Sequence, residues 1–234
     1  MHLKTLLLFG LLWTSLSVFS QTKSDSLLVH VQFQFDGANL KLNSTYISKQ
    51  NDTLTFDKIK MYLSKPQLIY KNDLMDEKEN PYHLIDIEKP KSQQFSINNT
   101  SKKKITGLKF NIGVDSLASV SGAMEGALDA TNGMYWAWQS GFINFKIEGK
   151  SSSCLTRKNK FQFHVGGYSE PYYAMREMSI IFNEKSIKNN EITIQVDLAK
   201  LFSEIRLSET NAIMIPGKEA MKIADIAKNM FSVQ

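Results

Sequence analysis

The chain predicts an all-β fold: a single-domain β-sandwich with Greek-key connections, a long loop before a tryptophan-containing strand, and a short C-terminal helix. Short runs alternate apolar and polar residues, are rich in β-branched and aromatic side chains, and have turn residues between them. Helical spacing occurs in one segment alone, near the C-terminus. A closed barrel would give the same signals and is the alternative architecture. No repeat or composition shift divides residues 22–234, which are read as one domain.

The elements follow in order. SLLVHVQFQFD places Leu27, Val29, Val31, Phe33 and Phe35 on one face and His30, Gln32 and Gln34 on the other, the pattern of a half-buried strand. Asp36-Gly37 turns the chain. Thr53 to Tyr70 is extended, with a break expected near Pro66. YHLIDI is a short strand, and Lys103 to Val114 alternates with a shift at Gly107 that suggests a bulge. DSLASVSGAMEGALDATNGM has no clean period, and so long a connection asks for a functional reason. MYWAWQSGFINFKIEG, KFQFHVGG, REMSIIFN and EITIQVDLAKLF return to strand character. KEAMKIADIAKNMF is the helix, with Ala220, Ile223, Ala224, Ile226, Ala227, Met230 and Phe231 near helical spacing.

The first residues read as a delivery signal. Lys4 precedes the apolar run Leu6 to Trp13, and small residues follow near a cut after Ser20 or Gln21. Residues 1–21 are therefore expected to be a signal peptide, and the chain periplasmic or secreted. The apolar run is too short for a membrane span. A formal charge of +5, spread over solvated loops, does not make a nucleic-acid stripe. The single cysteine, Cys154, excludes an intramolecular disulfide, and its polar surroundings suggest an incidental loop thiol.

Signatures of catalysis are absent: there is no GxSxG, Walker A, HExxH, CxxC or EF-hand pattern. The chain is therefore read as a non-enzyme, with an extracellular enzyme using a carboxylate pair as the distant rival. Beyond the signal, three histidines remain, His30, His83 and His164, each on an expected strand. Their convergence would give an imidazole site suited to copper or zinc; the alternative is three unrelated histidines. Asp115, Asp129 and Asn132 could offer oxygen ligands to calcium, but turn-forming side chains of these types account for them more simply. Trp136 and Trp138 share a strand face with Ser140, Phe142, Asn144 and Lys146, opposite Tyr135, Ile143, Phe145 and Ile147, unless Gly141 flips the register. That face leaves the indoles free to cap a sheet, stack on a ligand or meet a cation.

KIKMYLSKPQLIY, YHLIDIEKP, ITGLKFNIGVDS, SGAMEGALDATNGMYWAWQSGFINFKIEG and FQFHVGG, in this order, resemble the MbnP-like family of exported copper-binding proteins associated with methanobactin loci. The resemblance runs over residues 27–231. It implies a mononuclear copper site built from histidines, with His30, His83 and His164 as the candidates. It also implies a tryptophan, Trp136 or Trp138, oxidised to kynurenine by a di-haem peroxidase-like partner. Reduced copper, Cu(I), is soft and accepts two or three imidazoles. The implied role is scavenging, storage or hand-off. The rival reading is a non-catalytic cell-envelope module that binds a glycan or protein through an aromatic platform of Trp136, Trp138, Tyr172 and Tyr173.

Overall fold

The alternation at the start of the domain folds as read. Strand β1 (Ser26–Phe35) buries Leu27, Val29, Val31, Phe33 and Phe35 and turns His30 and Gln32 to its other face. Asp36 and Gly37, both at positive φ, return the chain as β2 (Ala38–Asn39). This computed structural model describes residues 26–71, 73–76, 81–99, 103–139 and 141–234. The expected signal, residues 1–21, lies outside the described residues.

Strand β3 (Thr45–Ile47) leads into β4 (Thr53–Tyr70). The break expected at Pro66 is instead a bulge inside one continuous strand. Lys65 takes a φ of 49°, and the ladder skips from Ser64 to Gln67, which accommodates a proline that cannot donate. Next come β5 (Asp73–Asp76), β6 (Tyr82–Asp86), β7 (Gln94–Asn98) and β8 (Ile105–Ile112). The β4–β8 register shifts beside Gly107, as its sequence suggests. The long connection is not irregular throughout: it holds α1 (Ser116–Ser121) and two 3-10 turns. The rest comprises β9 (Tyr135–Trp136), β10 (Gly141–Ser151), β11 (Lys160–Gly166), β12 (Arg176–Ile181), β13 (Glu191–Asp197), α2 (Leu198–Phe202), β14 (Ala212–Ile213), α3 (Lys218–Ala227) and β15 (Phe231–Val233). DLAKLF was expected to extend a strand. It turns helical because the Asp197 carboxylate accepts the Ala199 N–H at 3.0 Å, an N-cap that starts α2.

Two sheets face each other. In the smaller, β15, β13 and β1 lie side by side, with β13 parallel to β1; β7 and β2 share the far edge of β1. In the larger, β4 is the axis. One edge of β4 carries β10 and then β8, and the other carries β3, β6 and β5. Strands β11 and β14 extend the sheet beyond β10, and β12 extends it beyond β8. The main core lies between the sheets, with Val29, Phe33 and Ile194 facing Phe56, Met61, Phe110 and Phe163. The expected all-β sandwich with a short C-terminal helix is therefore what forms, and α3 closes it by burying Ala220, Ile223, Ala224 and Ala227.

Cys154 is not a loop thiol in the sense expected. It is buried in the main core, where burial and then the Asp52 carboxylate push its thiol up to about 11. Ser152 and Leu155 on either side are exposed while Cys154 is buried.

A second, smaller core forms on the outer face of the larger sheet. Tyr62, Val114, Ala118, Leu128, Met134, Trp136, Phe142 and Ile143 are buried there, beneath the long connection. The large sheet is thus covered on both faces at one end, which a strictly two-layer reading did not anticipate.

Candidate functional site

The connection from Gly113 to Gly133 is seated on this outer face by polar side chains. Gly113, at a φ of 117°, lies so close to Asn144 that a Cβ there would sit 2.3 Å from the Asn144 Cγ. Asn144 Oδ1 accepts the Val114 N–H at 3.1 Å. Asp115 caps α1 by accepting the Ala118 N–H, and also receives the Tyr82 hydroxyl at 2.5 Å and the Lys65 ammonium at 3.1 Å. Burial works to raise the Asp115 carboxyl, yet the donors from Tyr82, Ala118 and Lys65 together hold it below the ordinary carboxylate range. Asp129 accepts from Thr131, while Asn132 donates to the carbonyls of Gly126 and Ala127. These three residues are thus spent on turns, caps and local pairing.

Trp136 and Trp138 do not share one strand face. The chain turns over residues 137–139, so β9 and β10 form a hairpin in which Trp136 pairs with Gly141 and Tyr135 with Phe142. Farther along, the register to β11 slips: Ile143 opposes Gly166, whereas Phe145 opposes Val165, leaving Asn144 as the extra residue. Strict alternation puts Ile143 on the same face as Phe145 and Ile147, which are in the main core. This bulge moves it to the outer cluster, beside Trp136. Trp136 is 6% exposed and Trp138 63%, and their ring centres are 6.1 Å apart. One indole is therefore packed and its neighbour is presented to solvent.

The Trp136 indole lies over Gly166 of β11. Two residues back along that strand and on the same face is His164, a separation of about 7 Å along the chain. His164 Nε2 meets Glu148 Oε1 at 2.6 Å, and its other ring nitrogen has no protein partner among the described residues. The His164 contact, then the lysines nearby, hold the Glu148 carboxyl below its usual range against the effect of burial. Lys58 approaches Glu148 at 3.9 Å. Across the sheet, Asp86, Lys60, Lys146 and His164 stand in one row on β6, β4, β10 and β11.

The expected three-histidine site does not assemble. His30 lies on the outward face of the smaller sheet and pairs with Glu191 at 3.0 Å, whereas His164 lies on the outward face of the larger sheet, with the main core between them. His83 sits on β6 with the inward parity of Ile85, stacked on Phe95 at a centroid distance of 4.2 Å. Three strand-to-strand steps of ~4.8 Å separate β6 from β11. Imidazoles sharing one metal need ring nitrogens within about 4 Å of each other. His83 Nε2 is buried with no hydrogen-bond partner among the described residues, and burial lowers its imidazole to about 4. Among the described residues, no three of His, Cys, Asp and Glu gather as a metal-binding group. Of the predicted residues, the fold sets Trp136 beside Trp138 and over Gly166, on the strand and face that carry His164, and it leaves out His30 and His83. Glu148, the partner that orients His164, was missed. Its signal was available only as an alternate-residue acid on the strand opposite FHVGG.

Of the proposed aromatic platform, Trp136 is buried. Trp138 is exposed, Tyr172 is 38% exposed, and the half-buried Tyr173 points its hydroxyl at the Met175 sulfur. No helix of the described residues is long and apolar enough to cross a membrane.

The fold resembles that of MbnP from Methylosinus trichosporium, with a TM-score of 0.61 at 15% sequence identity, covering 78% of this chain and 79% of that one. At that identity the likeness speaks to the fold alone. No curated protein matches the chain. The MbnP family model matches residues 24–215, a span holding β1 to β14, the tryptophan hairpin and His164. The chain belongs to the MbnP family.

Proposed function

We propose that the chain is an exported, non-catalytic copper protein that works at the Trp136–Trp138 hairpin, with His164 as its imidazole and His30 and His83 outside the site. The observation that carries this reading is the seating of Trp136 over Gly166, two residues along β11 from His164 and on the same face. Glu148 supports it. A ligating histidine commonly gives its second ring nitrogen to a carboxylate, which fixes the ring and leaves the other nitrogen as donor.

The donor set fits a soft, low-coordinate ion better than a dication. One oriented imidazole is present, and Lys58, Lys60 and Lys146 raise the local positive potential. Reduced copper tolerates few ligands. The family likeness adds an expectation that one tryptophan becomes kynurenine, which would contribute an aromatic amine and a ketone beside His164. Trp136 is the candidate on the histidine's face; Trp138 is the candidate that solvent reaches.

Competitive titration with Cu(I) tests the reading, using protein made with and without a di-haem peroxidase-like enzyme. His164→Ala should abolish tight binding, while His30→Ala and His83→Ala should retain it. Binding by His164→Ala equal to the parent's would overturn the proposal.

A second reading rests on Trp138. An indole 63% exposed suits stacking on a sugar ring or a partner's side chain. In that case Trp138→Ala abolishes glycan or protein binding and copper has no effect.

A further inference from the structure

Two lysines stand directly opposite each other on neighbouring strands of the larger sheet, Lys60 on β4 and Lys146 on β10. Like charges in such a cross-strand pair repel, and half-burying them adds a desolvation cost. Lys60 has 12% of its side chain exposed. A strand position of this kind is ordinarily filled by a β-branched residue. Something must offset the cost.

Both ammonium groups reach the same object. Lys60 Nζ donates to the Asn132 carbonyl at 3.1 Å, and Lys146 Nζ donates to the carbonyl of Gly133. A third donor from the same face, the Tyr62 hydroxyl, reaches the Ala127 carbonyl at 2.8 Å. Asn132 ends a 3-10 turn, and Gly133 follows it in the left-handed conformation at a φ of 70°. The carbonyls at such a C-terminal end lack helical partners and carry partial negative charge, which cations satisfy. Lys60 is also tied to Asp86 at 3.1 Å, which anchors one arm to β6.

The next residue is Met134, fully buried, and then the hairpin that delivers Trp136 onto Gly166. The segment being held is therefore the entry to the tryptophan site. We propose that Lys60 and Lys146 are positioning residues: a latch that fastens the 126–133 segment to the sheet and so sets where Trp136 lies. This rests on the reading that the Trp136 hairpin is the working site, but it concerns chain position and not the metal.

Hydrogen–deuterium exchange resolved by peptide, on the full chain without copper, tests it. Lys146→Met should speed amide exchange in peptides spanning residues 126–136 by about tenfold, the scale of losing a charge-assisted hydrogen bond, with β1 and β13 unchanged. Lys146→Arg, which keeps the charged donor, should restore slow exchange, whereas a residue needed only for bulk would be served equally by methionine. Adding Lys60→Met should enlarge the effect. Should that double variant fail to fold, Lys146→Met combined with Tyr62→Phe removes two arms while leaving Asp86 paired. Exchange in 126–136 equal to the parent's in a folded variant overturns the latch, whatever copper does. Faster exchange in a protein that never binds copper keeps the latch and discards the metal reading.

Discussion

Trp136 and Gly166 are fitted to each other: a Cβ on residue 166 would lie 2.8 Å from the indole Cζ3 and 2.6 Å from the Phe142 carbonyl oxygen. Only glycine lets the indole settle on this strand. Gly166→Ala should therefore displace Trp136 and cost roughly 1–3 kcal/mol, the usual range for overpacking. Thermal denaturation gives the loss, and a red-shifted tryptophan emission gives the displacement. Unchanged emission with unchanged stability would contradict this packing.

Glu148 orients His164 and is itself held ionised by that contact. If His164 is the copper ligand, Glu148→Gln should weaken copper affinity by about 10–100-fold, the range known for carboxylates behind ligating histidines. The parallel control is Glu191→Gln, which removes the partner of His30 on the far face and should leave copper affinity unchanged. Chelator competition reads both.

His83 makes stability depend on acid. Its imidazole titrates at about 4 in the fold because burial disfavours the charged form, against 6.5 in an unfolded chain. Between those values the unfolded state binds the extra proton. The contribution is thus fully present above pH 6.5 and is lost as pH falls toward 4. The slope is at most about 1.4 kcal/mol per pH unit in that window. Urea denaturation of His83→Leu across it should show a flatter pH dependence than the parent. Equal slopes would place the imidazole in contact with water.

Cys154 is 1% exposed, and its thiol is pushed up to about 11. A thiolate-selective reagent at neutral pH should leave the folded protein unmodified and label it only once it is unfolded. Rapid labelling of the folded chain would show that residues 151–154 open readily.

Asn144 joins the bulge in β10 to Gly113 by accepting the buried Val114 N–H. Asn144→Ala leaves that donor without its partner, at a cost of about 1–3 kcal/mol. The loss should appear as a lower melting temperature, along with faster exchange at Val114.

Much of the fold was legible because it depends on periodicity. The alternation in β1 assigns each side chain to the core or to the outer face without any knowledge of β1's neighbours, and the helical spacing of Ala220, Ile223, Ala224 and Ala227 does the same for α3. Gly107 announced its bulge. The hairpin at residues 137–139 was not legible, because YWAWQSGF alternates as well as a straight strand does. The parity of Ile143 was misread because a bulge is a property of two strands: Asn144 is extra only with respect to β11.

The candidate site divides along the same line. The chain by itself determined which side chains could do chemistry, and that His30 and His164 sit at outward parity on their strands. Sheet order alone decided which of them meet. His30 went to one sheet and His164 to the other, while His83, inward by its shared parity with Ile85 and Ile87, stacked on Phe95. Parity settles a side chain's face within its own strand, but not which sheet that strand joins or what covers the face. Those follow from pairings between distant segments, such as β1 with β13 and β10 with β11, and only folding makes them.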